Sequence, residues 1–196
     1  MEPRDAGTLL RRDVARNRAR ILAAALSVYR EHAGPAANEE IIAAAGIGMS
    51  TFYRHFPNRN DLHRALLDHL AAPATDIAAD ADATEDPWTA FATVFRNGCV
   101  LDGADLALFQ TLAATSPELA QHAASLTEHI VAPTLHRAKR AGLLADHLDA
   151  DTVVDLMSAA HAAADPRRRH DRAEVLLAGL RATCESAVNR GCAKRL

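Results

Sequence analysis

Gly46 sits between two short segments whose apolar side chains repeat at helical spacing, and it fixes how those segments can be joined. A helix that ends there needs a left-handed residue, a conformation only glycine adopts cheaply. The segment before it starts at Asn38 and carries Ile41, Ile42 and Ala45 as a buried side. Glu39 and Glu40 fall in its first turn, where they meet the positive end of the helix dipole. Asn38 is the expected N-cap, accepting from an early backbone N–H. Ile47 fills the corner, and a second helix follows from about Met49 until Pro57 stops it.

At about 100° per residue, Phe52 and Phe56 share the inward face of that second helix with Ile47. Ser50 and Arg54 point furthest out, with Thr51 and Tyr53 on either side. An αα-corner of this kind can place its second helix in the major groove of DNA. Arginine reads guanine through two bonds, while hydroxyls and a phenol hold phosphates on the groove walls. Met49, at the helix start, offers an apolar tip to a thymine methyl. Asn58 caps the next helix with Asp61 three residues on, which leaves Arg59 beside an outward-pointing helix N-terminus, a natural anion site.

The run AAAGIGMSTFYRHFPNRNDL closely resembles the signature of the TetR/AcrR family of bacterial transcription regulators, and the resemblance spans about Val14 to Ala74. It implies that Met49, Ser50 and Tyr53 approach bases and that Thr51, His55 and Arg59 hold phosphates. Asn38, Gly48 and Arg54 complete the candidate DNA-binding set. Two positions depart from the family pattern. Ala36 and Ala37 stand where hydroxyl residues usually bind phosphate, leaving Asn38 as a substitute, and Ser50 replaces the usual glycine of the recognition helix.

The composition fits an all-α chain: aromatic residues are 4% of the 196, and no run of period two stands out. A net charge of −3 argues against a nucleic-acid binder, but the distribution does not. Through Leu62 there are nine arginines against seven carboxylates, which makes this part positive and the remainder negative. No apolar stretch reaches the ~20 residues that cross a bilayer and no signal-peptide pattern opens the chain, so a cytoplasmic protein is expected. Cys99, Cys184 and Cys192 have no C-x-x-C spacing, which points to a reducing compartment, with burial as small hydrophobes favoured over a redox-sensing role.

Three parts are expected. Residues 1–13 form a basic arm, either solvated or touching DNA. Residues 14–74 form the DNA-binding domain, a first helix Val14–His32 followed by the helix-turn-helix at about 37–56 and a fourth helix Arg59–Ala72. Residues 75–196 form a helical ligand-binding and dimerisation domain, after an acidic, alanine-rich boundary at 73–86. Its helices are expected at Trp88–Leu101, Asp105–Thr115, Ser116–Arg140 with a kink at Pro133, Asp149–Ala164 and Arg172–Asn189. The resemblance implies a homodimer through the last two helices, although their apolar spacing fits ordinary intrachain core equally well.

Trp88, Phe91, Phe95, Phe109 and His129 are candidates for an effector pocket. His122, His129 and His136 recur every seven residues, about 10.5 Å apart along a helix, too far to share one metal ion without ligands such as Cys99 or His161 from a neighbouring helix. No catalytic constellation, metal site or cofactor motif is found. The expected function is a ligand-responsive DNA-binding regulator, a repressor whose partners are double-stranded operator DNA and a small-molecule effector. The rival is an all-α small-molecule binding protein or enzyme in which the helix-turn-helix is only structural; salt-dependent binding to duplex DNA separates the two.

Overall fold

The structure, a computed structural model, describes the backbone of residues 4–163 and 165–192 and the side-chain surroundings of residues 12–163, 165 and 167–181. The described residues form helices and no strands: α1 (Arg4–Glu31), α2 (Asn38–Ala45), α3 (Met49–His55), α4 (Arg59–Asp82), α5 (Pro87–Cys99), α6 (Gly103–Ala113), α7 (Pro117–Arg140), α8 (Ala150–His161) and α9 (Pro166–Cys192). Several starts follow the local chemistry that the sequence offered. Asn58 Oδ1 accepts from the Asp61 N–H at 2.9 Å, Ser116 Oγ from Leu119 at 3.3 Å, and Asp149 Oδ1 from Thr152 at 2.8 Å.

Four boundaries differ from expectation. α1 begins at Arg4, so the stretch expected as an arm is helical from that residue on. Alanine, leucine and arginine dominate it, and a helix already nucleated downstream extends into such residues at little cost. α4 runs through Pro73 to Asp82, so the boundary expected at 73–86 shrinks to the few residues after it. A proline inside a helix costs ~3 kcal/mol or more. Burial of Ala78 and Ala81, at 8% and 3% exposure, offsets that cost on the far side. α9 starts at Pro166 rather than Arg172, because proline suits the first turn and Asp165 accepts from the Arg167 N–H at 2.9 Å. Asn38 is inside α2, and its N-cap is Ala37. Cys184, Ala187, Val188 and Cys192, expected on the apolar stripe of the last helix or among the cysteines, have side chains outside the described residues.

Two units emerge, one of residues 1–70 with 104–123, the other of 71–103 with 124–196. The first thus takes in Ala104–Ala123, from the stretch expected to belong wholly to the C-terminal domain. Its buried side chains include Ile21, Leu22, Ala25, Leu26, Val28 and Tyr29 of α1, all on the faces their spacing predicts. Leu62, Leu66 and Leu67 of α4 are fully buried, and from the later stretch come Leu108, Leu112 and Leu119. The buried face of α6 is therefore Leu108 and Leu112, with Leu106 and Phe109 only half-buried.

The core of the second unit is built around Phe91 and Phe95 of α5, with Val131, Leu135, Leu144, Leu148, Val153, Met157 and Leu177. α5 packs on α8 and α9. Gly98 makes the approach to α8 possible, since a Cβ there would lie 2.5 Å from the Met157 sulfur. Arg137 holds the end of α4, pairing with the Asp82 carboxylate at 3.0 Å and donating to the Asp82, Thr84 and Glu85 carbonyls. Arg96 and Glu174 join α5 to α9 through two bonds of 2.5 and 3.2 Å. The Arg96 bond holds the Glu174 carboxyl below its ordinary range. Among the described residues no helix is long and apolar enough to cross a membrane.

Phe95 is fully buried, so Phe95→Ala should destabilise the second unit by ~3–5 kcal/mol through lost transfer energy and the void left behind. Denaturant unfolding followed by far-UV circular dichroism measures it. A loss under ~1 kcal/mol would mean that the ring lines open space instead of core.

Candidate nucleic-acid interface

The helix-turn-helix is set by its corner. Gly46 has φ 61° and ψ 41°, the left-handed cap expected of it. The turn closes by Gly46 N–H to Ala43 O at 3.1 Å and Ile47 N–H to Ile42 O at 3.3 Å. Arg20 of α1 donates to the Ala45 carbonyl at 2.7 Å and to the Gly46 carbonyl at 3.3 Å. A guanidinium thus sits at the negative end of α2, where a cation is favoured.

α3 then turns its two phenyl rings inward. Phe52 and Phe56 are 1% and 2% exposed, with ring centroids 6.2 Å apart. The Arg18 guanidinium lies 5.2 Å from the Phe56 centroid, a cation–π contact. Opposite them, Met49 is 57% and Tyr53 40% exposed, and Ser50 and Arg54 are exposed as well. Gly48, the α3 N-cap, faces open space. Thr51 and His55 are half-buried at the edges of this face. The outward surface offers a thioether, hydroxyls, a phenol and a guanidinium, an array suited to a groove lined with bases and phosphates.

Two candidates are placed otherwise than expected. Asn38 does not cap α2: one residue inside the helix, its amide reaches across to the Tyr53 hydroxyl at 3.5 Å, and its Oδ1 is buried without a hydrogen-bond partner. Arg59 is exposed as expected, but its Nη2 donates to the Ala36 carbonyl. Burial raises the Tyr29 phenol above its ordinary range, an effect that the charge of Arg59 partly offsets.

Behind the face lies a buried polar chain that sequence reasoning missed; a histidine among the leucines of α4 was its only signal. His63 is 2% exposed, with Nε2 3.2 Å from the Tyr29 hydroxyl and Nδ1 3.3 Å from Thr115 Oγ1. Thr115 gives its own proton to the Leu112 carbonyl at 2.7 Å, so it can only accept from His63. The ring therefore carries its proton on Nδ1, and Nε2 accepts from Tyr29. Burial first, and the Arg59 charge second, push His63 down from its ordinary 6.5 to about 4. A second histidine is fixed in the same way: Nδ1 of His122 accepts from Arg64 at 2.8 Å, which leaves Nε2 to donate to Asp68 at 2.6 Å.

Of the candidate pocket residues, Trp88, Phe91, Phe95 and His129 lie in the second unit. Phe91 and Phe95 are core, with Trp88 half-buried at the end of a file whose ring centroids are 6.1 and 5.9 Å apart. Arg181 lies over Trp88 at 5.1 Å. Phe109 belongs to the first unit. His129 is exposed and donates from Nδ1 to the Ser125 carbonyl of its own helix at 2.7 Å. Sequence reasoning also missed a cavity of about 320 Å³ in the second unit, lined by Leu148, Leu156, Leu176, Gly179, Leu180 and the 72%-exposed Val175 among others. Cys99 is buried and its thiol is pushed up to about 11, a value at which little thiolate forms. Among the described residues, no three His, Cys, Asp or Glu side chains are placed to hold a metal ion.

Residues 21–66 match the family model for bacterial regulatory proteins of the tetR family. The HTH-type transcriptional repressor LfrR of Mycolicibacterium smegmatis is 43% identical over 72 residues, which are 37% of this chain and 38% of LfrR. The match thus spans well under half the length of that curated relative. Among solved structures, a TetR transcription regulatory protein from Mycobacterium vanbaalenii aligns with a TM-score of 0.59 and 28% identity over 88% of this chain and 99% of that one. LfrR from Mycobacterium smegmatis in complex with proflavine aligns with a TM-score of 0.56 and 29% identity over 85% and 94%.

His63 gives the first unit a specific acid sensitivity. Its folded value is depressed, so the stability it contributes is complete above pH 6.5 and is lost as pH falls towards 4, ~3 kcal/mol in all. The depressed carboxylates Asp86, Glu118, Asp149 and Glu174 have ordinary values at or below 4.5, so they act lower on the scale. Denaturant midpoints between pH 7 and 5 should therefore fall in the intact protein and fall less in His63→Gln, which cannot titrate.

Proposed function

We propose that the chain is a member of the TetR family of bacterial regulatory proteins, whose model its residues 21–66 match, and that it is a ligand-responsive DNA-binding transcriptional regulator, a repressor released from its operator by a small molecule. The observation that carries the DNA-binding half is the outward face of α3. Met49, Ser50, Tyr53 and Arg54 stand exposed on a helix whose opposite side is locked by two buried phenyl rings. Gly48, Thr51 and His55 border that face, and Asn38 joins it through Tyr53. In this reading Arg54 takes the base contact, since it is exposed and makes no hydrogen bond or ion pair among the described residues. Ser50, Thr51, Tyr53 and His55 hold phosphates and neighbouring bases.

The second unit is assigned the effector and the dimer. A solved relative, LfrR, is held in complex with proflavine, which supports a small-molecule role for the corresponding helices here. Trp88 at the end of its aromatic file is the best-placed of the candidate ligand contacts. Homodimerisation through α8 and α9 is supported by the unusual exposure of Val175 and by the apolar cavity beside it. α4 has residues in both units, so it is the element through which effector binding would move the reading head. Two heads set apart by the dimer would then no longer meet successive major grooves.

The DNA-binding half is tested on duplex DNA selected by the protein from a random pool. Arg54→Ala should weaken binding to the selected sequence by ~1–3 kcal/mol and blur the preference at one base pair per half-site. If the intact protein shows no salt-dependent affinity for any duplex, the helix-turn-helix is only structural and the binding-protein alternative stands.

The regulatory half follows linkage. An effector found by thermal shift should lower DNA affinity, and DNA should lower effector affinity by the same factor, a coupling of ~1–3 kcal/mol. Calorimetric titration of the hit into free protein and into the protein–DNA complex measures both. Equal affinities would show that the ligand does not regulate, however tightly it binds.

A further inference from the structure

We infer that His122 is a positioning residue of the reading head, a tie between α7 and α4 that lets go of one of its two partners when it takes a proton. The inference rests on the DNA-binding reading above and adds a regulation to it. The imidazole lies between two side chains one turn apart on α4. Arg64 Nη1 donates to Nδ1 at 2.8 Å, and Nε2 donates to Asp68 Oδ1 at 2.6 Å. A guanidinium can only give protons and a carboxylate can only take them, so the two contacts together admit one form of the ring, neutral with its hydrogen on Nε2. The other links from α4 to the same stretch are longer: the Asn60 amide donates to Ser116 Oγ at 3.5 Å, and His63 Nδ1 to Thr115 Oγ1 at 3.3 Å. Position matters as much as length. The first unit holds α4 as far as Leu70 and α7 as far as Ala123, so Asp68 and His122 stand in the last turn that each helix gives to it.

A proton added to the ring goes to Nδ1 and occupies the lone pair that Arg64 uses. The Arg64 bond then breaks and two cations face each other, while Nε2 keeps Asp68 and holds it as a charged pair. The tie thus passes from two residues of α4 to one, and a guanidinium is freed beside the carboxylate that the ring retains. The charged groups bonded to the ring are Arg64 and Asp68 from α4. Glu118 lies one turn earlier on α7, and Asp61 one turn before Arg64 on α4. Gain of the proton therefore loosens α4, the helix that joins the reading head to the second unit, without unpacking any apolar contact. His63 cannot serve the same end, since at about 4 it stays neutral until the solution is far more acid.

The test compares the intact protein with His122→Gln on the selected duplex at constant ionic strength, from about pH 8 to about 5.5, within the range in which imidazole side chains change charge. Glutamine offers Arg64 an acceptor and Asp68 a donor, and it takes no proton. His55, at the edge of the reading face, is present in both proteins, so the comparison removes any part it plays. Across that range the wild type should lose about fivefold more affinity than the variant, the worth of one hydrogen bond. A variant that loses affinity as steeply as the wild type overturns the inference, because a merely structural histidine would leave the pH profile unmoved. Should the variant not fold, NMR of the wild type decides. At the alkaline end the His122 ring should carry its hydrogen on Nε2 alone, and the Arg64 guanidinium signals should shift with pH in step with that ring. A hydrogen on Nδ1, or Arg64 signals that ignore the titration, overturn the tie. A wild type that binds no duplex in a salt-dependent way refutes the DNA-binding reading, and the two NMR signatures then judge the tie by themselves.

Discussion

A helix of seven residues has no standing of its own in water, because nucleating it fixes more backbone than its few hydrogen bonds repay. α3 exists only because Phe52 and Phe56 are driven out of solvent on one side of it. Each such ring contributes ~2–3 kcal/mol when fully buried. The rings seat α3 at a fixed rotation, with Arg18 stacked on Phe56, and that rotation decides that Met49, Ser50, Tyr53 and Arg54 face out. Every chemical property of the candidate interface follows from this one apolar contact. The polar residues select what is bound; the phenyl rings decide that there is a surface to bind with.

The arginines around it serve a different end from the one their number suggests. A positive sum over the first part of the chain invites the thought that it is there to attract phosphate. Yet Arg18 lies on Phe56, Arg20 holds the carbonyls that close α2, Arg30 pairs with Asp105 at 2.5 Å, and Arg59 reaches back to Ala36. With Arg16, which pairs with Asp13 at 2.6 Å, five of the seven arginines through Leu62 whose side chains are described are engaged within the first unit. Guanidinium groups suit this work because they are planar, always charged and able to hold two acceptors at once.

What could be read from the chain beforehand was whatever local chemistry decides. Gly46 had to be left-handed, Phe52 and Phe56 had to face inward, and Asn58, Ser116 and Asp149 had to cap, since each depends on residues within one turn. What could not be read was decided across the fold. Nothing near Pro73 announces that Ala78 and Ala81 will be buried, so the helix there looked finished. The periodicity of α6 admits Leu106 and Phe109 as its core face as readily as Leu108 and Leu112. Asn38 has the chemistry of a cap and sits one residue too late to be one. The sequence character of Phe109 and His129 does not say that the first joins the first unit or that the ring of the second bonds its own helix.

The notch that Gly98 leaves for the Met157 sulfur has a meaning for descent as well as for packing. The two residues lie on α5 and α8, 59 positions apart, and a side chain gained at the first obliges the flexible Met157 thioether to turn aside or shorten. The coupling runs one way, since a shorter residue at the second position asks nothing of the first. Bulk at this crossing is tolerated only as far as a thioether can yield, which sets the order in which the pair can change.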